Sequence, residues 1–262
     1  MHIVPLGWEV DRVVLPIRAM CAHRAYLLCQ PRSDPKRSHY LTLVTKALTK
    51  MKVHVVHREV DSNLDAEGLV REMSAIIQYE ESEGSSVHIN ISGAGKVAAT
   101  AAHLVACAHL NTSTGTLYYP VAERYTKPGP DREQHGLGAG MEGEPLDQPF
   151  FRLEIPRDDA RRFLQLLVCS PKGELRYAEA IEHLRSVGYR AYEVPATPGG
   201  SRGVQRNRAN VALNKRVVEK LKRGGFVEVE ARGRERVAML TESGRFMAML
   251  CAPPLTSPSS RT

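Results

Sequence analysis

Aromatic residues are scarce in this chain. They make up 6% of its 262 residues, and Trp8 is the sole tryptophan. Long apolar runs are absent. None approaches the ~20 residues that a membrane-spanning helix needs, so no span is expected. The opening Met1-His-Ile-Val-Pro-Leu6 lacks the cationic segment and apolar stretch of a secretory signal. Cysteine is sparse and odd in number: Cys21, Cys29, Cys107, Cys169 and Cys251, with no Cys-x-x-Cys pair. That spacing excludes a disulfide scaffold and predicts reduced, mostly buried thiols in a cytoplasmic protein. His103, Cys107 and His109 lie close in sequence, but His109 leaves the helical face that the other two share. No metal site is expected there.

What the chain does have is apolar content for real cores, 42% of residues, and an uneven charge. The formal net charge is +7. Residues 1–149 hold 15 Lys and Arg against 17 Asp and Glu, a net of −2. Residues 150–262 hold 21 against 12, a net of +9. The split predicts a near-neutral sensing half and a cationic half that faces a polyanion.

Residues 1–125 alternate strand and helix patterns. Strands are expected at Met1–Leu6, Ala25–Cys29, Val53–Val60, Val87–Ile91 and Gly115–Val121. Helices are expected at Glu9–Met20, Tyr40–Met51, Leu64–Glu83 and about Lys96–His109. Such alternation predicts a doubly wound, mostly parallel Rossmann-like sheet with helices on both faces. Ligands sit at the carboxyl ends of strands in these sheets. Three loops share that rim: Leu6-Gly7-Trp8, Gln30–Ser38 and Ser92–Lys96. Residues 126–149 are rich in Gly and Pro and read as a loop or linker. Phe150–Ile155 alternates like one more strand.

The most informative motif is Val87-His-Ile-Asn-Ile-Ser-Gly-Ala-Gly-Lys96, followed by the small-residue run Val97–Ala106. A strand turns sharply into a helix at Ser92-Gly93-Ala94-Gly95. That turn aims backbone N–H groups and the positive helix end at an anion. Lys96 adds a mobile cation where a lysine does not help the helix. The ATP-type phosphate loop needs a glycine where Asn90 stands and Ser or Thr where Val97 stands, so it does not match. The dinucleotide fingerprint fits loosely as Gly93-x-Gly95-x-x-Ala98, but after the fourth strand instead of the first. A phosphate-bearing ligand that is neither ATP bound for hydrolysis nor NAD is expected.

Residues 150–252 change pattern. Helices are expected from Asp158/Asp159 to Val168, from Leu175 to Val187, and from Asn207 to Arg223, stopped by Gly224-Gly225. Phe226–Ala231 and Arg236–Leu240 form a hairpin with a basic tip, and a last helix starts at Thr241. Three helices followed by a basic hairpin predict a winged helix-turn-helix that binds double-stranded DNA. Arg206, Asn207, Arg208, Asn210, Asn214 and Lys215 are the helix candidates for base edges and phosphates. Arg232, Arg234 and Arg236 are the wing candidates. The Pro/Ser-rich tail, 253–262, is expected to be disordered.

The segments His2-Ile-Val-Pro-Leu-Gly-Trp-Glu-Val-Asp-Arg12 and Asn90-Ile-Ser-Gly-Ala-Gly-Lys96 resemble archaeal regulators that join a CRISPR-associated Rossmann-fold (CARF) domain to a winged helix. The resemblance spans about residues 1–250. It implies a homodimer with a cyclic oligoadenylate across the two-fold axis, cyclic tetra-adenylate first among ring sizes, although no residue selects the ring. It also implies transcriptional control of CRISPR-Cas or related defence genes. Carried over, Ser92, Gly93, Ala94, Gly95 and Lys96 would hold phosphates and ribose. Leu6, Gly7, Trp8, Glu9 and Arg12 would line the same pocket, with Trp8 stacking on adenine, filling the dimer seam or packing in the core. No catalytic residue and no cofactor are expected. Two alternatives stay open. One is a CARF ring nuclease that cleaves its own ligand without metal, with Lys96 positioning it and Ser92 or His88 assisting. The other is a nucleotide-sensing repressor, NAD included, unrelated to CRISPR.

Overall fold

The computed structural model describes residues 1–30, 35–93, 95–111, 113–156, 158–189, 192, 202–233 and 235–251. The side chains at 35–37 and 202–206 also lie outside this description. The chain divides into two compact units, Met1–Leu153 and Glu154–Ala252.

The first unit runs β1 (His2–Pro5), α1 (Asp11–Ala19), β2 (Arg24–Cys29), α2 (Pro35–Lys50), β3 (His54–Glu59), α3 (Ala66–Ser82), β4 (Val87–Asn90), α4 (Gly95–His109) and β5 (Gly115–Tyr119). There follow β6 (Arg124–Tyr125), α5 (Pro130–His135), β7 (Gly138–Ala139) and β8 (Leu146–Asp147). The main sheet has the order β3-β2-β1-β4-β5-β8. Its first five strands are parallel, and β8 closes the edge antiparallel to β5. This is a doubly wound, Rossmann-like sheet.

The central strands are covered on both faces, so they read as near-continuous buried runs. Helices α1 and α2 cover one face around Val13, Ile17, Val44 and Leu48. Helices α3 and α4 pack together, and the fully buried Ala102 and Ala106 of α4 permit close approach. Asp65 caps α3 by accepting a hydrogen bond from Gly68 N at 2.9 Å.

The strand order matters for function. The chain leaves β1 toward β2 on one side, and β4 lies on the other side of β1. The loops after β1 and β4 therefore flank the topological switch point at the carboxyl edge, where such sheets leave a crevice.

The second unit contains α6 (Asp158–Cys169), β9 (Glu174–Arg176), α7 (Tyr177–Ser186), α8 (Arg202–Leu213), a π-helical turn (Asn214–Val218), α9 (Glu219–Arg223), β10 (Val227–Arg232), β11 (Glu235–Leu240) and α10 (Glu242–Leu250). Strands β10 and β11 form an antiparallel hairpin, and β9 pairs with β11. Phe163, Leu164, Leu167, Leu184, Leu213 and Val217 fill the core between helices and sheet. Burying a side chain of this size stabilises by roughly 1.5–3 kcal/mol. Thr241 caps α10 through Gly244 N at 3.0 Å.

Four sequence expectations need correction. Phe150–Ile155 is not a strand: Phe151 is exposed, and the sheet edge is already taken by β8. Residues 126–149 are not a plain loop, since they hold α5, β7 and β8. The helix expected from Leu175 begins at Tyr177, because Glu174–Arg176 pairs with β11. The helix expected from Asn207 begins at Arg202 and passes through a π turn. The tail at 253–262, most of the 189–201 stretch, Ala94 and Arg234 lie outside the described residues. Among the described residues, no helix is long and apolar enough to cross a membrane, and no three His, Cys, Asp or Glu side chains are grouped to hold a metal ion.

Candidate functional site

At the carboxyl edge of the sheet, the Ser92–Lys96 turn sits against the end of β1. Gly93 is buried there, and a Cβ on it would lie 2.5 Å from Pro5 O. Only glycine lets the two loops touch. Asn90, fully buried at the end of β4, organises the turn. Its Oδ1 accepts from Ser92 N (2.9 Å) and Ser92 Oγ (2.7 Å), and its Nδ2 donates to Arg12 O (2.8 Å). Asn63, in the loop after β3, donates from Nδ2 to Leu6 O at 3.2 Å. The sequence shows Asn90 at the head of the turn motif, but neither its bonding role nor that of Asn63. An Asn beside a strand end or loop is the signal that points to such a role, since these amides commonly fix turns.

Gly95 and Lys96 are exposed in the first turn of α4, and that turn carries no acidic residue. With the helix dipole behind them, they present a cationic, donor-rich edge suited to an anion. Trp8, 40% exposed, stands in the loop after β1. Gly7 is half-buried beside it.

Three predicted ligand residues face inward instead. Leu6 is a core residue under α1, and its N–H donates to Leu28 O at 2.8 Å. Glu9 has no exposed surface, and Arg12 is 5% exposed. Arg12 donates to both Glu9 oxygens, through Nε at 3.1 Å and through Nη2. Its Nη1 donates to Tyr119 Oη at 2.9 Å, and its guanidinium lies 5.5 Å and 5.9 Å from the Tyr119 and Tyr125 ring centres. Burial pushes the Glu9 carboxyl up, against the pull of the Arg12 hydrogen bonds and charge. Desolvation opposes the Arg12 charge as well, yet the Glu9 hydrogen bond and charge leave the guanidinium above its ordinary value. These two charges are committed to each other and do not line an open pocket.

Their partner is the segment β6–α5–β7, which straps the loop after β1. Gly138 N donates to Glu9 Oε2 at 3.2 Å, Leu137 N to Trp8 O at 2.8 Å, and Val10 N to His135 O at 3.1 Å. Asp11 accepts from Gly140 N at 2.8 Å and is bonded to His135 Nδ1 at 2.8 Å. From α2, the Tyr40 hydroxyl donates to Arg132 O at 3.1 Å. Gly136 has φ +84°, and a Cβ there would meet Trp8 O at 2.3 Å. The strap thus fixes the crevice loop from behind.

In the second unit, α8 and the π turn after it face the β9–α7 corner and β11 across a cleft of about 460 Å³. Asn207, Asn210, Val211, Asn214 and Lys215 line it from the helix. Glu219, which follows the π turn, lines it with them, and Arg176, Tyr177, Glu235 and Arg236 line it from the other side. Most of the predicted helix residues therefore share one surface with Arg236. Arg208 is exposed, and the Arg206 side chain lies outside the described residues.

Residues 159–252 match the family described as the DUF6293 C-terminal winged helix domain. The second domain is a winged helix. Residues 1–125 match a family described as HFX_2341_N-like, N-terminal. The uncharacterized protein MJ1513 of Methanocaldococcus jannaschii is 27% identical over 190 residues, covering 64% of this chain and 55% of its own length. The chain thus spans about half the length of that curated relative. Among solved structures, protein VC1899 from Vibrio cholerae aligns with TM-score 0.39 at 12% identity. Can2 from Sulfobacillus thermosulfidooxidans, solved in complex with cyclic tetra-adenylate, aligns with TM-score 0.37 at 12% identity. Each alignment covers 95% of this chain and 63% of the other.

Within the winged helix, two predicted DNA residues have other work. The Arg232 guanidinium donates to Glu174 at 2.6 and 3.0 Å and to Glu230 at 3.2 Å. Two carboxylates neutralise it, so it is not a free phosphate ligand. Asn214 accepts from the Tyr177 hydroxyl at 3.1 Å and donates to Glu219 Oε1 at 2.7 Å. Both ends of its amide are occupied. The π turn brings Glu219 to this position, with Glu219 N donating to Asn214 O. Arg236 stays exposed beside the Tyr177 hydroxyl. The wing's cationic contribution therefore falls chiefly to Arg236 among the described residues.

Proposed function

We propose that the chain is a ligand-responsive, DNA-binding transcriptional regulator with the plan of the CARF regulators. The observation that carries this reading is the gathering of Asn207, Asn210, Lys215 and Arg236 on one cleft between α8 and the wing. In winged helices, that helix enters the major groove and the hairpin meets the backbone. The net +9 of residues 150–262 supplies the long-range attraction.

The sensing half works at the switch-point crevice. On this reading, Gly95, Lys96 and the N-terminus of α4 hold a phosphate of a cyclic oligoadenylate, cyclic tetra-adenylate first. Trp8 offers a ring for an adenine. The crevice is half a pocket, and a second copy related by a two-fold axis completes it around a ligand of matching symmetry. The regulated genes are those of CRISPR-Cas or related defence.

The test uses the full chain. Gel-shift titrations on duplexes that include its own upstream region are run with and without cyclic tetra-adenylate, cyclic hexa-adenylate and NAD, and the nucleotides are then recovered and chromatographed. Cyclic tetra-adenylate should bind once per two chains, shift the DNA midpoint and be recovered intact. A midpoint unmoved by every nucleotide refutes ligand control, and recovery of cleaved rings makes the protein a nuclease.

A further inference from the structure

We infer that the winged helix reads an A·T-rich half-site, with Val211 contacting a thymine methyl and Asn207 and Asn210 contacting adenines. The inference rests on the DNA-binding reading above and specifies its target.

Helix α8 has two unlike sides. Ala209 and Leu213 are buried in the domain core. Asn207, Asn210 and Val211 are spaced i, i+3 and i+4, so they share the outer face, and all three line the cleft. Val211 is 47% exposed. A β-branched apolar side chain in the open middle of a helix stabilises neither the helix nor a core. Asn207 lies one turn before it on that face and lines the cleft with Asn210; Arg208 also precedes it by three residues, and Lys215 follows by four and lines the same cleft.

That set of side chains selects among base pairs. Each asparagine amide offers one donor and one acceptor. Adenine presents N7 as acceptor and its 6-amino group as donor in the major groove, so the match is complete. Guanine presents two acceptors there and would leave the amide oxygen unpaired. Valine has no hydrogen bond to give, and the apolar group the major groove offers it is the thymine methyl. Arginine is the usual reader of guanine. Among the described residues, the cations that line the cleft beside this face are Arg176, Lys215 and Arg236, suited to phosphates, while Arg208 is exposed on α8 but is not part of that lining.

Asn214 lies one turn further along the same face, yet it is not a reader. Tyr177 and Glu219 satisfy its amide internally. It closes the reading surface at the π turn and leaves Asn207, Asn210 and Val211 as the part with free chemistry. An acidic protein partner would use the flanking cations but would leave the amide–valine face without a match.

The experiment begins with selection of duplexes from a random pool by the full chain at low salt. Anisotropy titrations then compare the enriched duplex with versions carrying uracil for one thymine or 7-deazaadenine for one adenine. Adjacent A·T pairs should be enriched. Loss of the thymine methyl should weaken wild-type binding about fourfold, the worth of one buried methyl group, and Val211→Ala should bind thymine and uracil duplexes equally. Loss of adenine N7 should weaken wild type about fivefold, one hydrogen bond, but leave Asn210→Ala unchanged. Val211 is exposed, Asn210 is half-buried in the cleft wall, neither belongs to the domain core, and alanine favours helix, so the fold is not at stake. Enrichment of G·C pairs, or a thymine preference that persists in Val211→Ala, overturns the inference while leaving DNA binding intact. No shift with any duplex overturns the DNA reading itself, and this inference with it.

Discussion

Replacing Arg12 with methionine should destabilise the first domain by about 3–5 kcal/mol, the cost of stranding one partner of a buried ion pair. The geometry sets that scale. Glu9 is fully buried, and Arg12 bonds both of its oxygens as well as the Tyr119 hydroxyl. Methionine fills much of the aliphatic volume, so the loss is of charge and hydrogen bonds more than of packing. The Glu9 carboxylate would retain the Gly138 N–H alone among the partners described. The double variant Glu9→Gln/Arg12→Met removes both charges and should recover most of the loss. Trp8, adjacent to the pair and alone of its kind, reports unfolding of this domain by its emission in urea.

The same variant carries a pH signature. Burial already lifts Glu9 above its ordinary value of 4.5, and removal of the cation lifts it further. A carboxyl raised in the folded state holds its proton there after the unfolded chain has released it. Its stabilising contribution is complete below 4.5 and is lost as pH rises through the folded value, by about 1.4 kcal/mol per unit. The deficit of Arg12→Met should therefore be smaller at about pH 5 than at about pH 8. A loss under about 1 kcal/mol, or one with no pH trend, would show that the pair is not what holds the loop.

His2 is buried against the His88 ring and bonded to the Tyr118 hydroxyl, and burial pushes its pKa down to about 3. As pH falls below 6.5 the unfolded chain takes the proton first, so stability should drop by about 1.4 kcal/mol per unit toward 3; His2→Gln should flatten that slope in urea titrations, and identical slopes would discount His2. Gly93→Ala should separate the loops after β1 and β4, with a loss of about 1–3 kcal/mol in the same titration; an unchanged midpoint would mean the turn yields freely. Lys96→Ala should weaken cyclic tetra-adenylate by about 1.5–3 kcal/mol with the fold intact, and equal calorimetric affinities would remove Lys96 from the site. Arg232→Ala should weaken duplex binding less than Arg236→Ala, because Glu174 and Glu230 already neutralise Arg232; gel shifts ranking them the other way would show those carboxylates let go on DNA.

Much of the architecture is legible in the sequence because it repeats at short range. The alternation of apolar strands with amphipathic helices through residues 1–119 specifies a parallel sheet, and the Ser92–Lys96 turn falls where such a sheet places its ligand edge. The helices and hairpin of the winged helix are equally periodic. Periodicity misleads at Phe150–Ile155, which alternates well, because a strand also needs a free edge and β8 occupies it. It is silent at Glu174–Arg176, too short to show a period. The commitment of Asn214 is hidden for a different reason. Its partner Glu219 stands five residues on, a spacing that an α-helix does not bring together and a π turn does.

The Glu9–Arg12 pair shows where residue type stops being informative. Polar and charged side chains beside a ligand edge serve either to touch the ligand or to fix the loop that does. Glu9 precedes α1, so helical i, i+3 spacing does not by itself pair it with Arg12. What decides the matter is burial, and burial here comes from the strap, with Gly138 bonding across 129 residues of sequence. The strap's own elements are two to six residues long, so they leave no periodic trace. Its effect on the site is nonetheless direct. With Arg12 committed to Glu9, that cation is not free to meet an anion at the loop after β1. On the reading proposed above, the attraction that the described residues offer an anion comes from across the crevice, from Lys96 and the N-terminus of α4.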